Sequence, residues 1–376
     1  MNLNNARILI AAQYAAPYEG NFIASLENLQ NRLKKEYNVV CAFVFPRKMA
    51  EQPWAKAFME RNEVSLTGTD KALISKIEAM EILQKFKPNL IYTHFEGYDK
   101  PFSIAAGKVN KSIRQVWHMH DTLKFQHNVI KAVYQISCFF SHYGLPIIKN
   151  WNNSIKPCLI SVCQHESTFV KLFRLGIPVT EITIPNGINM HRIARTNNER
   201  HDPFSFLAFV GRNVQKRADL LLLAADKLNK SGVKLNVILV DGQVDSIASQ
   251  IFDNKPDWLT EVRPQENINE IFAMADCFVS TSVHETFSYA IAEASVYGLP
   301  VIQSDIEGTK WNKDNPSAFL FPSGNVEALA DTMLKVMNVS ADDMMKRCAE
   351  TRIRNINECS MDAWSGKIIE FFKAIP

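Results

Sequence analysis

Short apolar runs alternate with stretches in which apolar side chains recur every three or four positions. Arg7 to Ala12 reads as a strand, and Phe22, Leu26, Leu29 and Leu33 then form the stripe of a helix. Further strands are expected at Val39 to Phe45, Asn89 to His94, Gln115 to His120, Leu159 to Val162 and Glu181 to Ile184, with helical text between most of them. In the second half Phe204 to Val210 is a strand and Leu220 to Leu228 an apolar helix. Cys277 to Val279 and Leu299 to Ile302 flank a helix carrying Phe287, Ala290, Ile291 and Ala294. Thr286 is its expected N-cap and Gly298 its expected end. Alternation of this kind predicts an α/β fold with parallel sheets.

Two carboxylates mark the helix before Gly298. Eight positions at a rise of about 1.5 Å separate Glu285 and Glu293 by about 12 Å, roughly 80° apart around the axis, so both can face one ligand. The amides of Thr286, Phe287 and Ser288, at a helix N-terminus, suit a diphosphate. Glu285 would then hold a sugar ring on one side of it and Glu293 a ribose on the other, which describes a nucleotide sugar. Taken alone, two solvent-facing helix residues explain the same spacing. A second cluster, Gly211-Arg212-Asn213-Val214-Gln215-Lys216-Arg217, follows the strand ending at Val210. Loops at the carboxyl ends of parallel strands are where α/β folds bind ligands, and Arg212 with Lys216 could neutralise a diphosphate; a solvated basic turn is the plainer reading.

These stretches resemble the retaining glycosyltransferases of GT-B fold, glycosyltransferase family 4 in particular. The resemblance runs through Glu285-Thr286-Phe287-Ser288, the helix to Glu293-Ala294, and Gly298-Leu299-Pro300-Val301-Ile302. It continues in Gly211-Arg212, in Lys216 three residues before Asp219, and in Ile184-Pro185-Asn186-Gly187-Ile188-Asn189, which looks like the segment that ends the first domain. The sequence departs at Ser288 and Arg217, both usually Gly, and in the N-terminal loop, where Gly20 stands alone for a Gly-Gly pair with Asn21 as a possible cap. The resemblance implies two Rossmann-like, doubly wound parallel-sheet domains facing across a cleft. Residues 1–188 would bind the acceptor and 189–360 the donor. Residues 361–376 would form a terminal helix crossing back to the first domain on Trp364 and Phe371. It also implies transfer of a sugar from a nucleoside diphosphate sugar, which is a substrate and not a cofactor, to a glycan or lipid-linked acceptor with retained configuration. Its catalytic set here would be His120, Arg212, Lys216 and Glu285; Gly20, Gly211, Thr286, Phe287, Ser288 and Glu293 complete the donor site. His120 resembles the family's histidine that contacts the transferred sugar, with His118, two residues earlier on the same face, as the fallback.

Composition narrows the alternatives. There is no G-x-G-x-x-G, no P-loop and no Asp-x-Asp, so a dinucleotide oxidoreductase, an NTPase and a metal-dependent transferase fit poorly, and no metal or nucleic-acid partner is expected. Seven cysteines without a C-x-x-C pair favour reduced thiols in the cytoplasm. The net charge of +3 conceals 24 Lys/Arg against 14 Asp/Glu in residues 1–195, leaving 18 against 25 in the remainder. No acidic residue lies between Asp121 and Glu166, where Lys124, Lys131, Lys149 and Lys156 accompany apolar residues. Such text suits peripheral contact with an anionic membrane, and equally a core helix with solvated lysines. Surface-polysaccharide or glycolipid synthesis is the family's commonest employment. A nucleotide-sugar 2-epimerase on the same fold and a non-catalytic partner subunit are the alternatives.

Overall fold

The computed structural model describes residues 1–69, 73–120, 157–163, 180–194, 200–210, 214–240, 247–265 and 267–376. Two compact units emerge, Met1–Gly187 with Trp364–Pro376, and Ile188–Ala363. The first contains β1 (Arg7–Ala12), α1 (Gly20–Tyr37), β2 (Val40–Pro46), α2 (Ala55–Arg61), β3 (Val64–Thr67), α3 (Lys76–Phe86), β4 (Leu90–His94), α4 (Glu96–Val109), β5 (Arg114–Met119), β6 (Cys158–Ser161) and β7 (Glu181–Thr183). All its strand pairs are parallel, in the order β3-β2-β1-β4-β5-β6-β7.

The second unit contains β8 (Phe204–Phe209), α5 (Ala218–Lys230), β9 (Leu235–Val240), β10 (Leu259–Val262), α6 (Ile268–Phe272), β11 (Cys277–Ser280), α7 (Tyr289–Tyr297), β12 (Val301–Asp305), β13 (Ala318–Pro322), α8 (Val326–Met337) and α9 (Ala341–Cys359). Its parallel sheet runs β10-β9-β8-β11-β12-β13. Each sheet is doubly wound, and the direction of winding reverses between β1 and β4 in one and between β8 and β11 in the other. The crevice outside the carboxyl ends of such a strand pair is the usual ligand site.

Strand alternation builds the cores. In the first unit Ile8 and Ile10 face α1, while Leu9 and Ala11 face the opposite layer with Leu83, Tyr98 and Phe102. Strands buried on both faces must be apolar throughout, which is why these runs are legible as strands. The last helix, α10 (Met361–Ala374), adds Trp364, Ile368, Phe371 and Phe372 to the core that holds Ile8, Leu26 and Tyr92. Gly187 lies tight against that helix. A Cβ there would sit 2.9 Å from Ser25 Oγ and 3.0 Å from Trp364 Cβ, so this glycine is selected by close packing.

The expected strands recur, β1 with both ends as expected and the others with ends shifted by at most three residues. Outside the expected set are β3, β9, β10 and β13. The edge strand β3 is half-buried and its Val64-Ser65-Leu66-Thr67 carries little apolar signal. Two expected caps are corrected. Thr286 does not cap α7: Ser288 has extended dihedrals and accepts a hydrogen bond from the Ile291 amide at 3.5 Å, so the helix begins at Tyr289. Asn21 lies inside α1, which starts at Gly20 with φ +61°, so it caps nothing. Gly298, at φ +110°, does end α7 in the left-handed conformation that glycine adopts without strain. No described helix is long and apolar enough to cross a membrane.

Candidate functional site

In the second unit, β8 and β11 each run into a loop at the point where the winding reverses. The two loops are laced together. The Val283 amide donates to Gln215 O at 3.0 Å, and Thr281 Oγ1 donates to Lys216 O at 2.6 Å. This backbone frame brings Lys216, from the first loop, onto Glu285, from the second. Lys216 Nζ donates to Glu285 Oε1 at 2.5 Å, and Ser282 Oγ donates to the same oxygen at 3.0 Å. Both partners are mostly enclosed, with side chains 30% and 15% exposed. At such burial each charge needs the other, because water no longer solvates it fully.

Lys216, Ser282, Ser288 and Ala290 line one small cavity with the ends of β8 and β11. The N-cap of α7 therefore opens onto the same space as the lysine, so an anion at its mouth would meet a cation and the positive end of a helix. The correction at Ser288 changes which amides these are. Thr286, Phe287 and Ser288 precede the helix, and the first-turn donors belong to Tyr289 and Ala290. Phe287 is instead a buried anchor stacked on Trp311 at 4.8 Å between ring centroids. The helical estimate of 12 Å and 80° between the glutamates does not apply either, because Glu285 lies in the loop and only Glu293 in the helix.

Glu293 is 6% exposed within α7, and its Oε1 lies 3.9 Å from an Arg192 nitrogen. A solvent-facing helix residue is thereby ruled out. Arg192 is held in turn, for Asn269 Nδ2 donates to its carbonyl at 2.9 Å while Asn269 Oδ1 accepts from the Ala194 amide at 3.0 Å. Arg192 and Asn269 were not among the expected site residues; they come from segments distant in sequence and carry no motif.

Gly308 is a further residue that motif reading missed. A Cβ on it would lie 1.9 Å from Glu285 O and 2.9 Å from the Thr286 amide, so the backbone carrying Glu285 rests on bare glycine. Arg217 has φ +47°, the left-handed region, which accounts physically for a glycine preference at this place. Its guanidinium forms a two-point pair with Asp219, Nε to Oδ1 at 2.9 Å and Nη2 to Oδ2 at 2.8 Å. Gly211 and Arg212 lie outside the described residues, as do Asp121 and the basic, apolar segment 124–156.

In the first unit the reversal point is marked by histidines. His94 ends β4, His118 is its register partner on β5, and His120 follows that strand. His94 Nδ1 and His120 Nε2 are 3.0 Å apart, and Tyr92 Oη lies 2.6 Å from His118 Nδ1. The rings of His118 and His120 stack at 4.3 Å between centroids, with Phe22 of α1 edge-on to His120 at 5.7 Å. Gly20 opens the same helix as Phe22, so the N-terminal loop and His120 share one neighbourhood. Burial holds all three imidazoles well below the usual histidine range, His120 at about 3, and repulsion among them adds to the effect in His94 and His118. They are neutral at physiological pH.

A roomier cavity of about 310 Å³ lies at the opposite, amino-terminal edge of the second sheet, against Phe204, Ala275, Pro300 and Met344. Its acid Asp276 already binds the amides of His201 and Ser205 at 2.9 and 2.8 Å. Its Arg200 is likewise engaged, by the carbonyls of Met337 and Val339.

Comparison with known proteins agrees with this fold. Residues 205–338 match the family model of glycosyl transferases group 1, about a third of the chain and most of the second unit. The fold is that of solved GT-B glycosyltransferases. A glycosyltransferase from Rickettsia africae aligns over 98% of each chain with a TM-score of 0.79 at 15% identity. HepE from Anabaena, solved with UDP and glucose, covers 98% of this chain and 100% of its own, with TM-score 0.73 and 16% identity. The sucrose-phosphate synthase of Thermosynechococcus elongatus covers 98% of each chain, with TM-score 0.73 and 13% identity. No curated protein matches the chain in sequence. At such identities the structural likeness establishes the fold, and the family match adds support for a glycosyltransferase.

Two tests follow from the local geometry. Gly308→Ala forces the loop of Glu285 to move and should cost about 1–3 kcal/mol, read as a lowered thermal midpoint; an unchanged midpoint contradicts the contact. The buried histidines bind protons near pH 6.5 when unfolded and only far lower when folded. The unfolded chain thus holds more protons between those values, and stability falls as pH drops below about 6.5. The difference in urea midpoint between pH 7.5 and pH 5 should shrink in His118→Leu; an equal difference contradicts the burial of a neutral ring.

Proposed function

We propose that this chain is a retaining glycosyltransferase of family 4 type. In this reading its second unit binds a nucleoside diphosphate sugar and its first unit binds a glycan or lipid-linked acceptor. The observation that carries the proposal is the Lys216–Glu285 pair, held by two loops at the winding reversal of the sheet, beside the N-cap of α7. That HepE was solved with UDP and glucose on the same fold supports a nucleotide-sugar donor.

Lys216 would meet the charge that grows on the departing diphosphate, together with the first amides of α7 and Arg212. Preorganised cations and dipoles lower such a barrier because they need not reorient as the bond breaks. Glu285 would exchange its lysine for the sugar hydroxyls, and Glu293, steadied by Arg192, would accept from the ribose. Retention requires the acceptor oxygen to reach the anomeric carbon on the face from which the phosphate leaves. The C–O bond to phosphate breaks as the bond to acceptor forms, and the leaving phosphate oxygen takes the acceptor proton. His120 would line the acceptor side and donate a hydrogen bond. For the biological setting we propose surface-polysaccharide or glycolipid assembly, with segment 124–156 on an anionic membrane face.

Incubation with a panel of nucleotide sugars tests the reading. Nucleoside diphosphate released only with an acceptor supports transfer, whereas donor interconversion without acceptor means epimerisation and no turnover means a non-catalytic subunit. Glu285→Gln and Lys216→Ala should each lower turnover by about 100-fold or more with the fold intact. Normal turnover in either overturns the site assignment.

A further inference from the structure

The function proposed above uses His120 and leaves His94 without a role. His94 ends β4 beside His120, fully buried, between Phe22 at 5.1 Å and Tyr92 at 4.2 Å between ring centroids. Its Nδ1 lies 3.0 Å from His120 Nε2. Both rings are neutral, so one of these nitrogens carries a proton and the other accepts it. The far edge of His94 decides which. His94 Nε2 is buried and meets no hydrogen-bond partner among the described residues. A proton placed there would be a buried donor with nothing to receive it, a condition that costs about 1–3 kcal/mol. Orphaned N–H groups of that kind are rarer in folded proteins than under-satisfied acceptors.

We propose that His94 is a positioning residue: its Nδ1–H donates to His120 Nε2, fixes that ring, and leaves His120 in the Nδ1–H tautomer. His120 is less enclosed than His94. Its Nδ1 edge is then a hydrogen-bond donor to a sugar hydroxyl and not a general base, because its basic nitrogen is occupied. The inference rests on the proposed function only in what the Nδ1–H meets.

His118-Met119-His120 with His94 on the neighbouring strand also forms a ligand set for a transition metal, with one nitrogen of each ring within 4.8 Å of the others. The ring planes argue against it. They tilt by only 23°, 28° and 35° from one another, at centroid separations of 4.3, 5.3 and 5.0 Å. A lone pair lies in the plane of its ring, so His118, stacked on His120, sends its lone pairs alongside those of its neighbour, while His120 Nε2 is already engaged by His94. A tetrahedral ion needs them to converge at about 2.0–2.1 Å.

Ring ¹⁵N–¹H correlation spectra of the wild-type protein test the proposal directly, with His120→Gln assigning the signals. His120 should show a protonated Nδ1 and a bare Nε2; a protonated Nε2 overturns the proposal without any variant having to fold. In turnover, His94→Phe keeps a ring and loses the donor. It should lower kcat about 10–100-fold with donor KM within about twofold, the range typical when a group orienting a functional side chain is lost. His94→Asn carries an amide nitrogen near the Nδ1 position and should recover at least about a tenth of the lost rate. Equal kcat in wild type and His94→Phe overturns the proposal, and so does one equivalent of Zn²⁺ bound by the wild type and lost in His118→Leu. If the wild type turns over no nucleotide sugar, the functional reading fails, while the tautomer measurement still decides the role of His94.

Discussion

An ammonium group and a carboxylate 2.5 Å apart tie together the two loops that follow β8 and β11. Neither charge is well solvated, and neither comes from a strand or α-helix, so their pairing helps fix where both loops run. Around it the Val283 amide and the Thr281 hydroxyl hold the second loop to carbonyls of the first, and Gly308 leaves room for the backbone of Glu285. The helix that follows starts late, at Tyr289, and so turns its N-terminal end toward the space the lysine already occupies. A positive group, a helix start and a carboxylate are thus assembled by sheet topology at one end of one strand pair.

Much of this arrangement was legible in the chain. Strands enclosed by helices on both faces must be apolar over their whole length, and β1, β2, β4, β8 and β11 announce themselves for that reason. The pairing of Lys216 with Glu285 was foreshadowed only as two residues near one ligand; their direct contact depends on loop hydrogen bonds that leave no periodic trace. Thr286 was the wrong cap because the choice among Thr286 and Ser288 is made by backbone dihedrals, and both residue types can cap. Glu293 was read correctly as a residue of α7, but its burial follows from α7 being enclosed on nearly all sides. Arg192, Asn269 and Gly308 could not have been found by motif, since each acts through a partner 16 or more residues away.

The first unit poses a different physical problem. Three imidazoles share the reversal point of its sheet, and among the described residues no carboxylate offsets their charge, so burial keeps them neutral. Period-two geometry on β5 and the parallel register with β4 set them on one face. The sequence signal was a histidine, His94, ending one strand and the run His118-Met119-His120 ending another; that they meet is a property of strand order, β4 beside β5.

Calorimetric titration of UDP, ADP and GDP into the wild type and into Lys216→Met measures the central claim without requiring an acceptor or a sugar. The account predicts saturable binding of at least one of the three, weakened about tenfold or more in the variant, in line with the loss of one charge-assisted contact. Equal affinity in the two proteins, or no binding to the wild type, contradicts it.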